Sequence, residues 1–239
     1  MAHDMNMTVP QVLAWLERRG TKRNRDGMAR YAIVTPRAYG VSVADLRSLG
    51  RQLGTDHALA QGLWKSGWYE ARMLSAFVAD PARVTPAQMD RWTREFDNWA
   101  ICDHLCFHLY DRTPHAWTKI AQWGSSSEEF VKRAAFALLA SVALHDKSGA
   151  DAPFKKSLRL IERAARDDRN FVKKGVSWAL RSVGERSQAL HADALSSARK
   201  LAESSDVSAR WVGRDALRQL NTPAVRKRVA ARAARQAES

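Results

Sequence analysis

Cysteine, glycine and proline are scarce in this sequence, and it has no long apolar run. The 239 residues include 2 cysteines, 12 glycines and 7 prolines. Two cysteines cannot build a disulfide framework, so we expect a protein of the reducing cytoplasm. No segment approaches the roughly 20 apolar residues that a membrane-spanning helix requires, and residues 1–10 lack the apolar core of a signal sequence. The sequence therefore predicts no association with a membrane.

Acidic residues are too few to balance the basic ones. Lysine and arginine total 39 against 25 aspartates and glutamates, which gives a formal net charge of +14 and a pI near 10.4. An excess of this size favours a polyanionic partner, with nucleic acid first. A merely basic surface is the alternative. If the partner is DNA, we expect a cytoplasmic protein that associates with the nucleoid.

Apolar residues recur at helical spacing along nearly the whole chain, and strand-like alternation is rare. Cap chemistry marks several starts, for example Ser126 with Glu129 and Thr222 before Pro223. The patterns predict helices over residues 8–19, 42–53, 56–66, 68–79, 86–95, 98–110, 114–123, 127–144, 151–166, 170–184, 188–203, 207–219 and 222–236. Residues 18–40 are basic and the least regular, and we interpret them as a loop that lies against phosphates.

The second half of the sequence repeats itself. Phe130-Val131-Lys132-Arg133 returns 41 residues later as Phe171-Val172-Lys173-Lys174, and a third copy with Ala209-Arg210 follows 37 residues after that. Two helices per roughly 40 residues is the period of HEAT-type repeats. Such units stack because one alone cannot bury its apolar face. The sequence thus predicts an all-α, curved, right-handed solenoid with a concave basic face. We expect a flexible tail over 1–8, the repeat domain over 9–220, and a basic helix or tail over 221–239.

A set of basic residues falls at the same place in each repeat, near the start of its second helix. The set comprises Lys132, Arg133, Lys173, Lys174 and Arg210. Stacked repeats would align these residues in a stripe that follows a phosphate backbone and releases its counterions. The alternative is a series of solvated helix faces. Because the residues are in phase with the repeat, we favour the DNA-binding stripe.

Residues 96–106 carry the densest group of reactive side chains in the sequence. Within them, Trp99 and Asp103 are one helical turn apart and share a helix face. A carboxylate in a tryptophan-rich helix is costly to bury without a partner. Asp103 therefore either caps a neighbouring loop or acts in a cleft, and spacing alone favours a structural role. Most of the nine tryptophans should pack where helices cross, and the others are candidate platforms for a nucleotide.

The same segment offers a weaker metal-site interpretation. Cys102 and Cys106 are four residues apart, as are His104 and His108, but the two pairs lie on different helix faces. A tetrahedral site would need two further ligands, and the nearest histidines, His115 and His145, have no recognisable ligand spacing. A buried pair of thiols explains the cysteines better, so we predict neither a metal nor another cofactor.

Several short segments occur in a characteristic order over residues 9–220. They are Met28-Ala29-Arg30-Tyr31, Gly40-Val41-Ser42, Asp45-Leu46-Arg47, Leu63-Trp64, Glu70-Ala71-Arg72, Asn98-Trp99 with Asp103, Lys132-Arg133-Ala134-Ala135, and the run from Lys173 through Trp178 to Arg181. As an ordered set they resemble the AlkD branch of the DNA alkylation repair enzymes, which are HEAT-like-repeat DNA glycosylases.

The resemblance implies a role for particular residues. Trp99 and Trp178 would contact the deoxyribose and backbone, Asp103 would face the anomeric carbon, and Arg133 would hold phosphate. The resemblance also places Arg181 among the DNA-binding residues. The implied activity is hydrolysis of the N-glycosidic bond of cationic N3- or N7-alkylated purines in duplex DNA, without drawing the base into a tight pocket. We expect a monomer. The alternative is a non-catalytic repeat module that binds DNA structures or a protein.

Overall fold

The computed structural model describes residues 6–146 and 149–237, and all regular structure in these residues is helical. Contacts divide the chain into two compact units, Met1–His115 and Ala116–Ser239. The first unit contains α1 (Val9–Arg19), α2 (Lys22–Met28), α3 (Val43–Leu53), α4 (His57–Lys65), α5 (Tyr69–Val78), α6 (Pro86–Arg94) and α7 (Trp99–His108). The second contains α8 (Ala116–Trp123), α9 (Glu129–His145), α10 (Ala152–Ala164), α11 (Asn170–Gly184), α12 (Gln188–Ala202), α13 (Val207–Leu220) and α14 (Pro223–Ala237).

Two stacked tryptophans form part of the core of the first unit. The Trp64 and Trp92 rings stack with centroids 4.5 Å apart, and both side chains are buried. The Trp64 indole N–H donates to Glu95 Oε2 over 3.0 Å, and the Arg72 guanidinium lies over the Trp64 ring and binds the same carboxylate. A buried indole needs such an acceptor for its N–H. Trp64 and Arg72 therefore belong to the core of this unit.

The second unit is built from three helical hairpins, α8–α9, α10–α11 and α12–α13. The second helices pack side by side, α9 on α11 and α11 on α13. Helix α9 is apolar around its whole circumference, and all residues from Arg133 to Ala143 are buried, as expected for a helix covered on every side. This arrangement confirms the predicted HEAT-like repeats.

Hydrogen bonds tie each hairpin to the loop of the preceding one. The Arg169 guanidinium donates to the Ser127 carbonyl over 2.6 Å, and one hairpin later the Ser208 hydroxyl donates to the Asp167 carbonyl, also over 2.6 Å. The Phe130 and Phe171 rings are in contact at 5.5 Å. The second helices of successive hairpins therefore start in a fixed register.

The predicted helices agree with the structure to within a few residues at each end, with one exception. Residues 18–40 are not one loop, because α2 and a 3-10 turn over Ala29–Tyr31 form within them. The Thr21 hydroxyl accepts the Asn24 N–H over 3.2 Å, and Lys22 pairs with Asp26 over 2.6 Å. No residue of α2 is buried, so this helix has no apolar stripe by which the sequence could reveal it.

The predicted division into a tail, a repeat domain and a basic C-terminal segment stays a prediction. Residues 9–220, expected to form one domain, contribute to both compact units. Of the tail expected over 1–8, residues 1–5 lie outside the described part of the chain, and the Thr8 N–H donates to Gln11 Oε1 over 2.8 Å at the start of α1. The basic segment after Leu220 forms α14, which packs on α12 and α13 through the buried Val225 and Val229. Within the described residues, no helix is long and apolar enough to cross a membrane.

Helices α12 and α13 approach so closely at Gly213 that only glycine fits. A Cβ atom at this position would lie 2.3 Å from the Ala202 nitrogen and 2.6 Å from the Ala198 carbonyl oxygen. We expect Gly213→Ala to lower the free energy of unfolding by about 1–3 kcal/mol, because backbone atoms must shift to admit the methyl group. Urea unfolding followed by circular dichroism measures this change.

Gly27→Ala is the matched control, since a Cβ at Gly27 meets no atom within 4 Å. The control should be neutral or stabilising by up to about 1 kcal/mol, because alanine is the better helix former. Equal stability of the two variants would contradict the close packing of α12 on α13.

Candidate functional site

Helix α7 begins at Trp99 because Asn98 caps it. The Asn98 side chain is buried, and its Oδ1 accepts the backbone N–H groups of Ala100 at 3.0 Å and Ile101 at 3.1 Å. Asparagine is among the best N-cap residues, since it satisfies N–H groups that have no partner within the helix. The cap thus fixes Trp99 as the first helical residue and Asp103 as the residue one turn later.

The Trp99 indole is held by a distant backbone group. Its Nε1–H donates to the Tyr31 carbonyl oxygen over 2.7 Å. Tyr31 ends a 3-10 turn, and the next residue, Ala32, has a left-handed backbone with φ of 55°. This conformation is uncommon for a residue with a side chain and often marks functional sites. The bond anchors one edge of the half-buried Trp99 ring.

Asp103 is half-buried on the same helix and lies near two cysteines. Burial, a hydrogen bond with Cys102 and the nearby Asp103 charge raise the pKa of the Cys106 thiol well above its usual value. A thiol whose pKa is raised in this way stays protonated at neutral pH and is a poor nucleophile. Among the described residues, no group of three or more His, Cys, Asp and Glu side chains is arranged to hold a metal ion.

His104 serves the packing of α7. Its Nε2–H donates to the Met73 carbonyl oxygen of α5 over 3.0 Å, and its ring contacts Phe77 edge-on. Burial, together with the charges of His108 and Arg47, lowers the pKa of His104 to about 3, although the Met73 hydrogen bond opposes the shift. His104 is therefore neutral at physiological pH and joins α7 to α5.

In the second unit, Lys132 and Arg133 lie at the start of α9 and contact the next hairpin. The Lys132 ammonium lies 2.9 Å from Asp167 Oδ2, and Arg169 binds both oxygens of the same carboxylate. These hydrogen bonds, from Arg169 and then Lys132, hold the pKa of Asp167 well below its usual range. The buried Arg133 donates through Nη1 to the Phe171 carbonyl over 2.6 Å. Both cations thus help to join α9 to the next hairpin.

The matching residues of the next two hairpins have different surroundings. Lys173 is half-buried with its Nζ 5.5 Å from the centroid of the Trp211 ring, whereas Lys174 is exposed. Arg210 donates to the carbonyls of Ser204 and Ser205 just beyond α12. Lys132, Lys173 and Arg210 each occupy the fourth position of their helix, so the structure retains the predicted register.

Trp178 and Arg181 lie further along α11, where both are half-buried. Arg181 Nε donates to the Ser177 carbonyl over 3.2 Å and is 3.9 Å from Asp215 Oδ2. Helix α11 approaches α9 closely, because a Cβ at Gly175 would lie 3.4 Å from Arg133 Cγ. The stem of Arg133 is thus packed against α11 three residues before Trp178.

The sequence matches the model of one protein family, described as DNA alkylation repair enzyme, over residues 12–220. The chain belongs to the DNA alkylation repair enzyme family. No curated protein matches it. One solved structure superposes with a TM-score of 0.74 at 17% identity, covering 90% of this chain and 96% of the other. That protein is described as one of a new family related to the HEAT-like repeat DNA glycosylases, with affinity for branched DNA structures.

A second solved structure is a designed armadillo repeat protein in complex with the peptide (KR)4. It has a TM-score of 0.38 and 13% identity, and the match covers 79% of this chain and 80% of that one. Such a low score carries no functional argument. Together, the family match and the first structure identify this DNA alkylation repair family member as a HEAT-like repeat protein.

In this family member, the predicted site residues are positioned in two groups. Trp99 and Asp103 lie on one helix of the first unit, and the other seven predicted residues lie on α9, α11 and α13 of the second. Their roles toward DNA stay predictions. The sequence reasoning missed Tyr31 as the partner of Trp99 and Asp167 as the partner of Lys132. Tyr31 stands in a segment that was among the family landmarks, but nothing local connects it with α7.

The buried His104 makes stability depend on pH. Unfolded His104 binds a proton below about pH 6.5, whereas the folded side chain with a pKa of about 3 does not. Protonation therefore favours the unfolded chain, and stability from this group falls as the pH drops from about 6.5 toward 3. Between pH 7.5 and pH 5 the loss should be about 2 kcal/mol, measured by urea unfolding at each pH.

The non-titrating variant His104→Gln provides the reference. Its stability should change less than that of the wild type over the same interval, because the remaining histidines contribute equally to both proteins. An identical pH dependence in the two proteins would show that His104 is not held neutral.

Proposed function

We propose that this chain hydrolyses the N-glycosidic bond of cationic N3- or N7-alkylated purines in duplex DNA. The observation that carries the proposal is the arrangement on α7, where Asp103 lies one turn after a tryptophan anchored at the Tyr31 carbonyl. The family to which the chain belongs supports the same reaction class. A half-buried carboxylate beside an oriented aromatic ring suits the stabilisation of a sugar that develops positive charge.

The substrate requires little help from an acid. A purine alkylated at N3 or N7 already carries a positive charge, so the electron pair of the C1′–N bond passes to the base as the bond breaks. The base leaves neutral, and the deoxyribose acquires oxocarbenium character. Catalysis is then directed at the sugar and the attacking water, and neutral lesions should be poor substrates.

In this mechanism Asp103 acts on the sugar and on water. Its carboxylate stabilises the oxocarbenium-like transition state by charge. It also orients the water that forms the new C1′–O bond and accepts the proton that this water loses. The products are the free base and an abasic deoxyribose.

Trp99 has a supporting role in the proposal. The π face of its indole attracts the positive charge that develops on the sugar. For Trp99, the hydrogen bond to Tyr31 fixes the ring orientation, so that its rotational freedom is already lost before DNA binds. The resemblance to the glycosylases assigns the second tryptophan position to Trp178 on α11.

Phosphate binding is divided between positioning and contacting residues. Lys132 and Arg133 join α9 to the next hairpin through bonds to protein groups, and Arg210 binds carbonyls in the loop of its own hairpin. We assign direct phosphate contacts first to the exposed Lys174 and to the half-buried Lys173 and Arg181, because an ammonium or guanidinium in solvent can exchange water for phosphate oxygens at little cost.

The second candidate function is binding of DNA structures without catalysis. It is favoured by one observation, the affinity for branched DNA with which the solved structure of TM-score 0.74 is described. Catalysis is the better candidate for this chain, because Trp99, Asp103, Arg133 and Trp178 occupy all four positions that the resemblance to the glycosylases assigns.

The variant Asp103→Asn tests the proposal. It keeps the side-chain shape and removes the charge, so we expect single-turnover release of N7-methylguanine from methylated duplex DNA to fall about 10²–10³-fold. Duplex affinity, measured in parallel by fluorescence anisotropy, should stay within a factor of about 3, which corresponds to well under 1 kcal/mol.

Asp168→Asn is the control, since Asp168 is an exposed carboxylate of the second unit and the change in charge is the same. This variant should release base at the wild-type rate. If the wild-type protein released no base at large enzyme excess but bound a four-way junction more tightly than a linear duplex, the non-catalytic function would replace the one proposed.

A further inference from the structure

The first helices of the second unit carry a basic groove that the proposed reaction does not use. Two depressions of about 600 and 780 Å³ lie between α10 and α12 and share Arg159 and Arg163 in their lining. Six basic side chains and two carboxylates line them. The basic residues are Lys155, Lys156, Arg159, Arg163, Arg166 and Lys200, and the carboxylates are Glu162 and Asp193.

Three of the cations form a row along α10, and a fourth follows the end of the helix. Lys156, Arg159 and Arg163 are three and four residues apart on one face of α10, and Arg166 stands in the turn two residues after Ala164, where the helix ends. All four are exposed. The opposite face of α10 buries apolar side chains, including Phe154 and Ile161. With a rise of about 1.5 Å per residue, the helical part of the row, from Lys156 to Arg163, is about 10 Å long.

Each of the two carboxylates pairs with one lysine of the groove. Asp193 pairs with Lys155 over 3.1 Å, and Glu162 pairs with Lys200 over 2.6 Å. Burial opposes the ionisation of Glu162, but hydrogen bonds from Lys200 and Ser197 outweigh it and lower the pKa of this carboxyl. Within residues 6–146 and 149–237, no carboxylate oxygen lies within 4.0 Å of a side-chain nitrogen of Lys156, Arg163 or Arg166, so their charges remain available to a ligand.

We propose that the groove between α10 and α12 binds the sugar–phosphate backbone of a second DNA segment, distinct from the segment that carries the damaged base. The inference rests on the DNA binding in the proposed function. Each strand of B-DNA presents one phosphate per about 3.4 Å of helix axis, so the helical part of the row, about 10 Å long, faces about three phosphates, and Arg166 follows it for a fourth. Three of the four cations are arginines, whose planar guanidinium forks match phosphate oxygens.

The lining favours nucleic acid over an acidic protein. Protein interfaces have an apolar centre surrounded by a polar rim. Among the described residues of the groove none is an exposed large apolar side chain, and Leu158 and Leu201, its two leucines, are buried. Lys155 and Lys200 already meet carboxylates of the protein itself, which leaves a single charged row of the kind that follows a backbone.

The test compares two triple variants with the same loss of charge. Arg159→Gln/Arg163→Gln/Arg166→Gln removes the arginines of the row. The control, Arg83→Gln/Arg91→Gln/Arg94→Gln, removes three exposed arginines of the first unit. Each protein is mixed with undamaged duplexes of about 12 base pairs, roughly 40 Å long, and the complexes are counted by native mass spectrometry across a salt series. Circular dichroism verifies that both variants are folded.

We expect the wild type and the control to bind two duplexes per chain, and the groove variant to bind one. The slope of log K against log salt for the second duplex should be about −3 to −4 in the wild type, as expected for three to four phosphate contacts. Base release by the groove variant should equal that of the wild type, because the row lies outside the proposed catalytic residues.

Three results would overturn the inference. They are a single duplex on the wild type, equal stoichiometry for the groove and control variants, and displacement of the second duplex by poly-glutamate at matched charge, which would indicate an acidic polypeptide partner. Asp103→Asn separates this test from that of the proposed function. It should still bind two duplexes while base release falls about 10²–10³-fold, so a failure of catalysis leaves the groove experiment decisive.

Discussion

Hydrogen bonds between the loop of one hairpin and the start of the next second helix are the constraint on which the second unit depends. Arg169 reaches the Ser127 carbonyl and Ser208 reaches the Asp167 carbonyl, so the same kind of contact occurs at two successive junctions. A repeat unit cannot bury its apolar face alone, and its stability comes largely from the interface with its neighbours. Because these contacts lie at the starts of α11 and α13, they hold Lys173 and Arg210 in register, each at the fourth position of its helix.

Some of the basic residues predicted to bind DNA also hold the repeats together. Lys132 and Arg133 make bonds to protein groups that join successive hairpins, and an ammonium paired with a carboxylate offers less to phosphate than a solvated one. The net charge of +14 therefore overstates the positive charge that is available to a ligand at the start of α9. The exposed row on α10 supplies further positive charge, on the first helix of the α10–α11 hairpin.

Much of the fold could be predicted from the sequence, because amphipathic helices bury a stripe that recurs at helical spacing. Helix α2 was missed because it buries none of its residues. In the candidate site, the proximity of Trp99 and Asp103 could be predicted because they are four residues apart on one helix. The bond from Trp99 to Tyr31 spans 68 residues, and the pair of Lys132 with Asp167 spans 35. Contacts at such separations follow from tertiary packing, for which a single sequence carries no local signal.

The central claim is that Asp103 assists departure of a base that is already positively charged. The most direct measurement compares single-turnover base release by the wild type from two duplexes, identical except for one guanine, which carries either a cationic N7-methyl or a neutral O6-methyl group. The mechanism predicts release of the N7-methylated base only, because nothing in the proposed site protonates a neutral leaving base. Release of neither base, or of both at similar rates, would contradict it.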